Sequence, residues 1–299
     1  MADQTNIRPL ADPSICFVIP YFGKWPLWFP FFLKSCEFNP TVTWHLHTDC
    51  GTPDSLPANV RVFDCTFTEY CQRVSVTLHI TFTPESPYKL CDLKPTLGVV
   101  HEEELRPFDF WAFGDIDVIY GDIRRYFTAE RLARHDIFST HRRRISGHFC
   151  LLRNNRQMRE AFMSVHGWQE LLSTRTHVAF DESAFSRLFV RHKNWPDWLA
   201  DLAKPLHKWA RRTENVEAYS TPNASVRWLD GSLDFPETWF WDHGHLTNNR
   251  DKEHEFPYLH FMTWKQRDWP ERTFGWSPEL TTVLATLRWQ VSAQGFQSQ

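Results

Sequence analysis

The chain has 299 residues, 42% of them hydrophobic, and a formal net charge of -3. That length and apolar content can bury a full core. The near balance of 33 basic and 36 acidic residues leaves no sequence-wide cationic field, which argues against nucleic acid as a partner. Residues 1–14 carry no apolar h-region behind a basic stretch, and Phe17 to Leu33 is interrupted by Pro20, Gly23, Lys24, Pro26 and Pro30. A bilayer-spanning helix needs about 20 largely uninterrupted apolar residues, so the expectation is a cytoplasmic chain.

Seven cysteines, at 16, 36, 50, 65, 71, 91 and 150, form no C-x-x-C pair and read as free thiols. Fifteen tryptophans are many. Indole faces can stack on sugar rings, but most are expected to be packing residues, because aromatics dominate core burial.

In chain order, Ile15 to Pro20 (ICFVIP) is a short apolar run closed by proline, as in a buried strand, with Tyr21-Phe22-Gly23 as its loop. Trp25 to Cys36 reads as a helix, Thr41 to Thr48 as an alternating strand and Val60 to Phe63 as a third strand. Strand, helix, strand from the start predicts a parallel α/β sheet. Tyr88 to Glu104 is helix-like, and Phe108 to Phe113 (FDFWAF) is an aromatic strand ending at Gly114. Asp136 to Thr140 and Phe149 to Arg153 read as strands around the basic run His141 to Arg144, and Arg156 to Leu172 and Glu182 to Arg191 as helices. From Trp195 to Arg212, helical spacing aligns Trp195, Trp198, Leu199, Leu202, Leu206 and Trp209, with Lys204, Lys208, Arg211 and Arg212 between them. Such a stripe packs on a core or lies on an anionic membrane surface.

The chemistry concentrates after the aromatic strand. In Gly114-Asp115-Ile116-Asp117 the two-residue period of extended chain turns both carboxylates to one side and Ile116 to the other. Two such carboxylates suit Mg²⁺ or Mn²⁺, which prefer oxygen ligands and bridge to substrate phosphates. A turn with two solvated acids is the plainer reading; the apolar strand before them favours a site, because ligands in open α/β sheets collect beyond the carboxyl ends of strands.

WAFGDIDVIYGD resembles the DXD motif of GT-A glycosyltransferases, and the order of the other segments resembles the retaining family 8 and family 32 types. The resemblance implies a GT-A fold, a mixed central sheet flanked by helices, and transfer of a hexose from a UDP-sugar to a saccharide acceptor, as in bacterial capsule or O-antigen synthesis. It implies one catalytic domain over 15–275 with a helical elaboration near 195–215, a tail at 1–14, and a C-terminal helix or tail at 276–299. Tyr21 and Phe22 would receive the nucleotide base, and Lys89, Asp92 and Lys94 of YKLCDLKP would face the nucleotide sugar. Ser146, Gly147 and His148 would lie on the acceptor side. In PYLHFMTWKQRDW, His260 would complete the metal site with Asp115 and Asp117, and Lys265 would approach the diphosphate. The family's glycine-rich ending after the histidine is replaced by Met262-Thr263-Trp264. Period two sets Tyr258, His260 and Met262 against Leu259 and Phe261, and a histidine in such a strand is also compatible with a satisfied core residue.

Asp181 and Glu182 keep two readings. Either acid can serve as general base or hold a sugar hydroxyl, or Asp181 can cap a helix whose first turn favours Glu182. The run His141 to Arg144 is either a solvated loop or a contact for diphosphate or an anionic acceptor. Two other classes compete for the whole chain. A haloacid-dehalogenase-type phosphotransferase would use Asp115 as its nucleophile, and a non-catalytic carbohydrate-binding protein would use the tryptophans.

Overall fold

The computed structural model describes residues 12–191, 195–221, 227–251, 253–267, 269 and 277–299. Its centre is a seven-stranded mixed sheet in the order β3-β2-β1-β4-β7-β6-β8. These strands are β1 (Ile15–Pro20), β2 (Val42–Thr48), β3 (Val60–Asp64), β4 (Phe110–Gly114), β6 (Ile137–Ser139), β7 (Phe149–Arg153) and β8 (Thr213–Asn215). β1 runs parallel to β2 and β4, whereas β7 is antiparallel to β4 and β6.

Alternation along the strands makes two cores. Cys16 and Val18 of β1, Trp111 and Phe113 of β4, and Cys150 and Leu152 of β7 share one apolar cluster. Ile15, Phe17 and Ile19, with Phe110, Ala112, Phe149 and Leu151, fill the other. A sheet covered on both faces needs apolar residues at every strand position, which is why these runs read as continuous rather than alternating. The expected α/β class, a mixed central sheet flanked by helices, is what the chain adopts.

Several helices differ from expectation. Helix α1 spans Phe29–Glu37 rather than starting at Trp25, with Pro30 near its N-terminus, where the missing N–H costs nothing. Helix α2, Phe67–Leu78, is additional to the predicted elements, and Thr66 and Glu69 form a capping box at its start. The predicted 88–104 helix is a 3₁₀ helix, Pro87–Thr96, followed by single turns at Leu97–Val100 and Glu102–Leu105. The stretch 156–172 is likewise divided into short turns.

The aromatic stripe at 195–212 forms only the helix Asp197–Ala203 and two 3₁₀ turns, and only its end at Trp209 packs against a core cluster. Trp198 is 70% exposed and Leu206 85%, while Trp209 packs edge-on against Phe189. The segment 276–299 is more than a helix and tail. Its described part holds a helix, Pro278–Ala285, then β12 (Arg288–Ser292) and β13 (Gly295–Ser298).

These last strands join β9 (Thr238–Asp242) and β10 (His245–Asn248) in a four-stranded antiparallel sheet. Trp241 and Trp289 stack there at 3.8 Å, and Phe31 of α1 stacks on Phe296 at 4.0 Å. Trp44, Trp111, Trp239, Trp241, Trp269 and Trp289 are fully buried, so the tryptophan abundance is chiefly packing. All seven cysteines are free. No described helix is long and apolar enough to cross a membrane.

A two-stranded antiparallel pair, β5 (Val118–Tyr120) with β11 (Tyr258–His260), joins the centre of the chain to its end. Gly121 follows β5 and donates to the Pro257 carbonyl, and a Cβ on Gly121 would stand 2.3 Å from the Phe256 carbonyl oxygen. Gly121→Ala is therefore expected to cost roughly 1–3 kcal/mol through overpacking. A lower urea midpoint at unchanged m-value would register it, whereas an unchanged midpoint would mean the two backbones separate freely.

Candidate functional site

After β3 the chain returns to place β4 on the other side of β1, so β1 and β4 flank a topological switch point. The crevice beyond the carboxyl ends of such strands is where open α/β sheets bind ligands. A cleft of about 700 Å³ lies there, lined by residues that include Tyr21, Phe22, Lys94, Asp115, Asp117, Gly147, His148, Asp181, Glu182, His260 and Lys265.

Asp115 and Asp117 occupy the turn between β4 and β5, with Ile116 turned into the apolar core. The pairing of β5 with β11 sets His260 opposite Val118 and so beside Asp117. Its Nε2 is 3.3 Å from Asp117 Oδ2. β11 gives way to a helix, Met262–Arg267, which brings Lys265 Nζ to 2.8 Å from the same oxygen. Leu259 and Phe261 face an apolar cluster, as period two requires. The coordinating atoms of Asp115, Asp117 and His260 all lie within 4.8 Å of one another. They form a candidate metal-binding cluster of two carboxylates and one imidazole.

The carboxylates are balanced by ammonium groups. Lys94 Nζ donates to Asp115 Oδ1 at 2.6 Å. Burial works to raise the pKa of Asp117, but His260 and Lys265 hold it well below the usual carboxylate range. Lys265 is raised in turn, because the attraction of Asp117 outweighs its own burial.

The 3₁₀ geometry of Pro87–Thr96 decides which predicted residues reach the cleft. With three residues per turn, side chains at i and i+3 eclipse. Tyr88, Cys91 and Lys94 form a row along the cleft. Lys89 and Asp92 fall on another row and turn inward, forming a 2.9 Å ion pair with side chains 1% and 0% exposed. The resemblance, which matches this segment by position and residue type, implies that they face the nucleotide sugar; the structure turns them away from it. Asp92 instead accepts hydrogen bonds from the Val178 and Phe180 amides, which anchors the backbone leading to Asp181.

Tyr21 lines the cleft and stacks on Trp25 at 5.5 Å, which stacks in turn on Phe29 at 3.7 Å. Phe22 touches the cleft but is otherwise buried against Phe67 and Tyr70, so its ring is not free to stack on a ligand. Of the segment 146–148, Gly147 and His148 line the cleft, and the buried Ser146 supports His148 with a 3.0 Å bond from its hydroxyl oxygen to Nε2. His148 stacks on His260 at 4.2 Å, and its Nε2 also meets the hydroxyls of Tyr258 and Thr221. Thr221 in addition lies 3.5 Å from His260 Nδ1. A group bonded to the second ring nitrogen orients a ligating histidine. Nothing in the sequence signalled Thr221, and the supporting role of Tyr258 was equally unseen.

A family model described as a family of unknown function, DUF6625, matches residues 17–275. The chain belongs to this family. By sequence it matches none of the curated proteins. Among solved structures it is similar to an active-site mutant of LgtC, with 12% identity, a TM-score of 0.44, and coverage of 92% of this chain and 96% of that one. Mouse xyloside xylosyltransferase 1 aligns at 9% identity and a TM-score of 0.43, over 84% of this chain and 97% of that one. The glycosyltransferase GlyE of Streptococcus pneumoniae TIGR4 aligns at 11% identity and a TM-score of 0.32, over 69% of this chain and 45% of that one.

Asp181 stands in a π-helical turn, Phe180–Phe185, entered through Ala179 at a φ of 52°. It is therefore not a helix cap, since the position before the turn belongs to Ala179. Single π turns of this kind recur at functional sites. A Cβ at residue 147 would come within 2.6 Å of Asp181 Oδ2, so glycine is what lets the two segments meet. Glu182 pairs with Arg144 at 3.0 Å, and the Arg142 amide donates to Glu217, which ties the basic run to neighbouring acids.

Burial pushes the Asp181 carboxyl up to about 7; Lys94 opposes this and Glu182 adds to it. A carboxyl raised on folding binds its proton more tightly in the native state, so stability declines as pH rises from the unfolded value, about 4, toward 7. Asp181→Asn is expected to flatten that decline relative to wild type. Urea midpoints measured across the window test it, and identical pH profiles for the two proteins would refute the buried, protonated carboxyl.

Proposed function

We propose that this protein is a metal-dependent glycosyltransferase of the GT-A architecture that moves a hexose from a UDP-sugar to a saccharide acceptor. The observation that carries the reading is the convergence of Asp115, Asp117 and His260 at the switch point between β1 and β4, with a lysine on each carboxylate. Two hard oxygen donors and one imidazole suit Mn²⁺ or Mg²⁺ beside a diphosphate. Bound there, such a cation supplies charge stabilisation for the departing diphosphate.

The chain's own residues account for the rest. Lys265 and Lys94 bring positive charge to the same side of the cleft, where negative charge grows on the leaving group. Tyr21, braced by Trp25, offers a ring face to the base. Gly147 lets the Asp181 carboxylate come close beside it in the cleft. A carboxyl titrating near neutrality can donate to a sugar hydroxyl or accept a proton from the acceptor. Beside these acids the cleft holds the Cys91 thiol, which burial pushes up to about 12 and so keeps protonated, in accord with retention without an obligatory covalent intermediate.

A donor screen following nucleoside diphosphate release, with and without Mn²⁺, tests this reading. Turnover is expected with a UDP-hexose and Mn²⁺, and Asp117→Ala and His260→Ala should each lower kcat/KM by about 100-fold or more, the scale of losing a major charge-stabilising contact. Full turnover in both variants would remove the site assignment.

The exposed Trp198, Leu202 and Leu206, beside Lys208, support a peripheral contact with an anionic membrane surface and hence a lipid-linked acceptor. Co-sedimentation with vesicles containing phosphatidylserine is expected, falling at high salt and in Trp198→Ser/Leu206→Ser. Equal recovery of the variant and the wild type would reject the contact.

A further inference from the structure

A second group of ligand-type side chains lies away from the cleft. β2 supplies His47, and the turns that follow the Lys94-bearing 3₁₀ helix supply His101 and Glu104. Glu104 Oε2 is 3.2 Å from His47 Nε2 and 2.8 Å from His101 Nδ1, and the three coordinating atoms lie within 4.8 Å of one another. Four-coordinate zinc, with bonds of about 2.0–2.1 Å, separates its ligand atoms by about 3.3 Å. The two distances to Glu104, 3.2 and 2.8 Å, are close to that separation.

Two features go beyond proximity. His47 Nε2 is buried and meets Glu104 Oε2 at 3.2 Å in a charged contact that lacks hydrogen-bond alignment. The outer atoms of the other two residues are already held, since the Tyr70 hydroxyl meets His101 Nε2 at 2.9 Å and Arg73 donates to Glu104 Oε1 at 2.7 Å. Outer contacts of this kind fix the tautomer and direction of metal ligands. Both histidines are buried, while the Glu104 side chain remains 21% exposed, which leaves an entry path.

We propose that His47, His101 and Glu104 form a second divalent-cation site, selective for zinc, that pins β2 and α2 to the segment continuing from Lys94. Two imidazoles and one carboxylate favour zinc over the magnesium or manganese expected at a carboxylate-rich pair. The role is structural. It joins three elements behind the cleft and takes no part in sugar transfer.

The test uses the full chain carrying Asp117→Ala, stripped with a chelator and dialysed, so that its outcome does not depend on the transferase reading. Co²⁺ is the spectroscopic probe and Zn²⁺ the competitor. One Co²⁺ per chain is expected to bind with the strong visible absorption of four-coordinate cobalt, to be displaced by Zn²⁺, and Zn²⁺ should raise the Tm. In the same background His47→Gln and Glu104→Gln should abolish the absorption, and Tyr70→Phe should weaken Zn²⁺ binding by about 10–100-fold. Far-UV circular dichroism accompanies each variant, and Glu104→Gln, which keeps the side-chain shape, decides if His47→Gln does not fold. No Co²⁺ uptake in the Asp117→Ala protein, or undiminished uptake in Glu104→Gln, overturns the proposal.

Discussion

The antiparallel pairing of β5 with β11 is the constraint on which the cleft depends. It holds Asp117 against His260 and Lys265, residues separated by well over a hundred positions in the chain. The pairing is packed from behind by the tryptophan-rich second sheet, where the Trp241 indole donates to the Tyr120 carbonyl at 2.9 Å. Close approach at Gly121 locks its far end. Loosening any of these would leave the carboxylates of the 115–117 turn without their imidazole.

Charge balance shapes the cleft as much as backbone geometry does. Each carboxylate of the acidic pair is matched by a lysine, and the Asp117 side chain is 7% exposed, so separating the charges would strand an ion where water cannot reach it. A ligand that brings its own negative charge can draw the lysines away only if another cation replaces them on the carboxylates. The chemistry of the cluster is thus coupled to what binds beside it. Asp181 is governed by the opposite effect: with burial dominant, it tends to keep its proton.

Much of this arrangement was legible from local pattern. Continuous apolar runs ended by proline or glycine marked β1 and β4, and strand alternation turned Asp115 and Asp117 away from Ile116. The same alternation sorted His260 from Leu259 and Phe261. Local pattern carries less where residue type stands in for backbone geometry. Residue type and position matched Lys89 and Asp92 to a segment facing the sugar, but the 3₁₀ turn carries them inward, and of the stripe at 195–212, which could pack on a core or lie on a membrane surface, Trp198, Leu202 and Leu206 are exposed. Helical spacing says which side chains share a face, not whether another element covers it.

Residue types and short-range periodicity by themselves determined that the chain builds a buried α/β sheet, that two carboxylates stand together beyond one of its strands, and that a histidine and a lysine follow in a second short segment. Tertiary structure alone decided that these segments meet, that His148 and Thr221 brace the imidazole, and that Gly147 admits the close approach of Asp181. The division has a physical cause. Backbone geometry repeats within a few residues and leaves its period in the sequence, whereas a contact between distant segments depends on how whole elements pack and leaves no local trace.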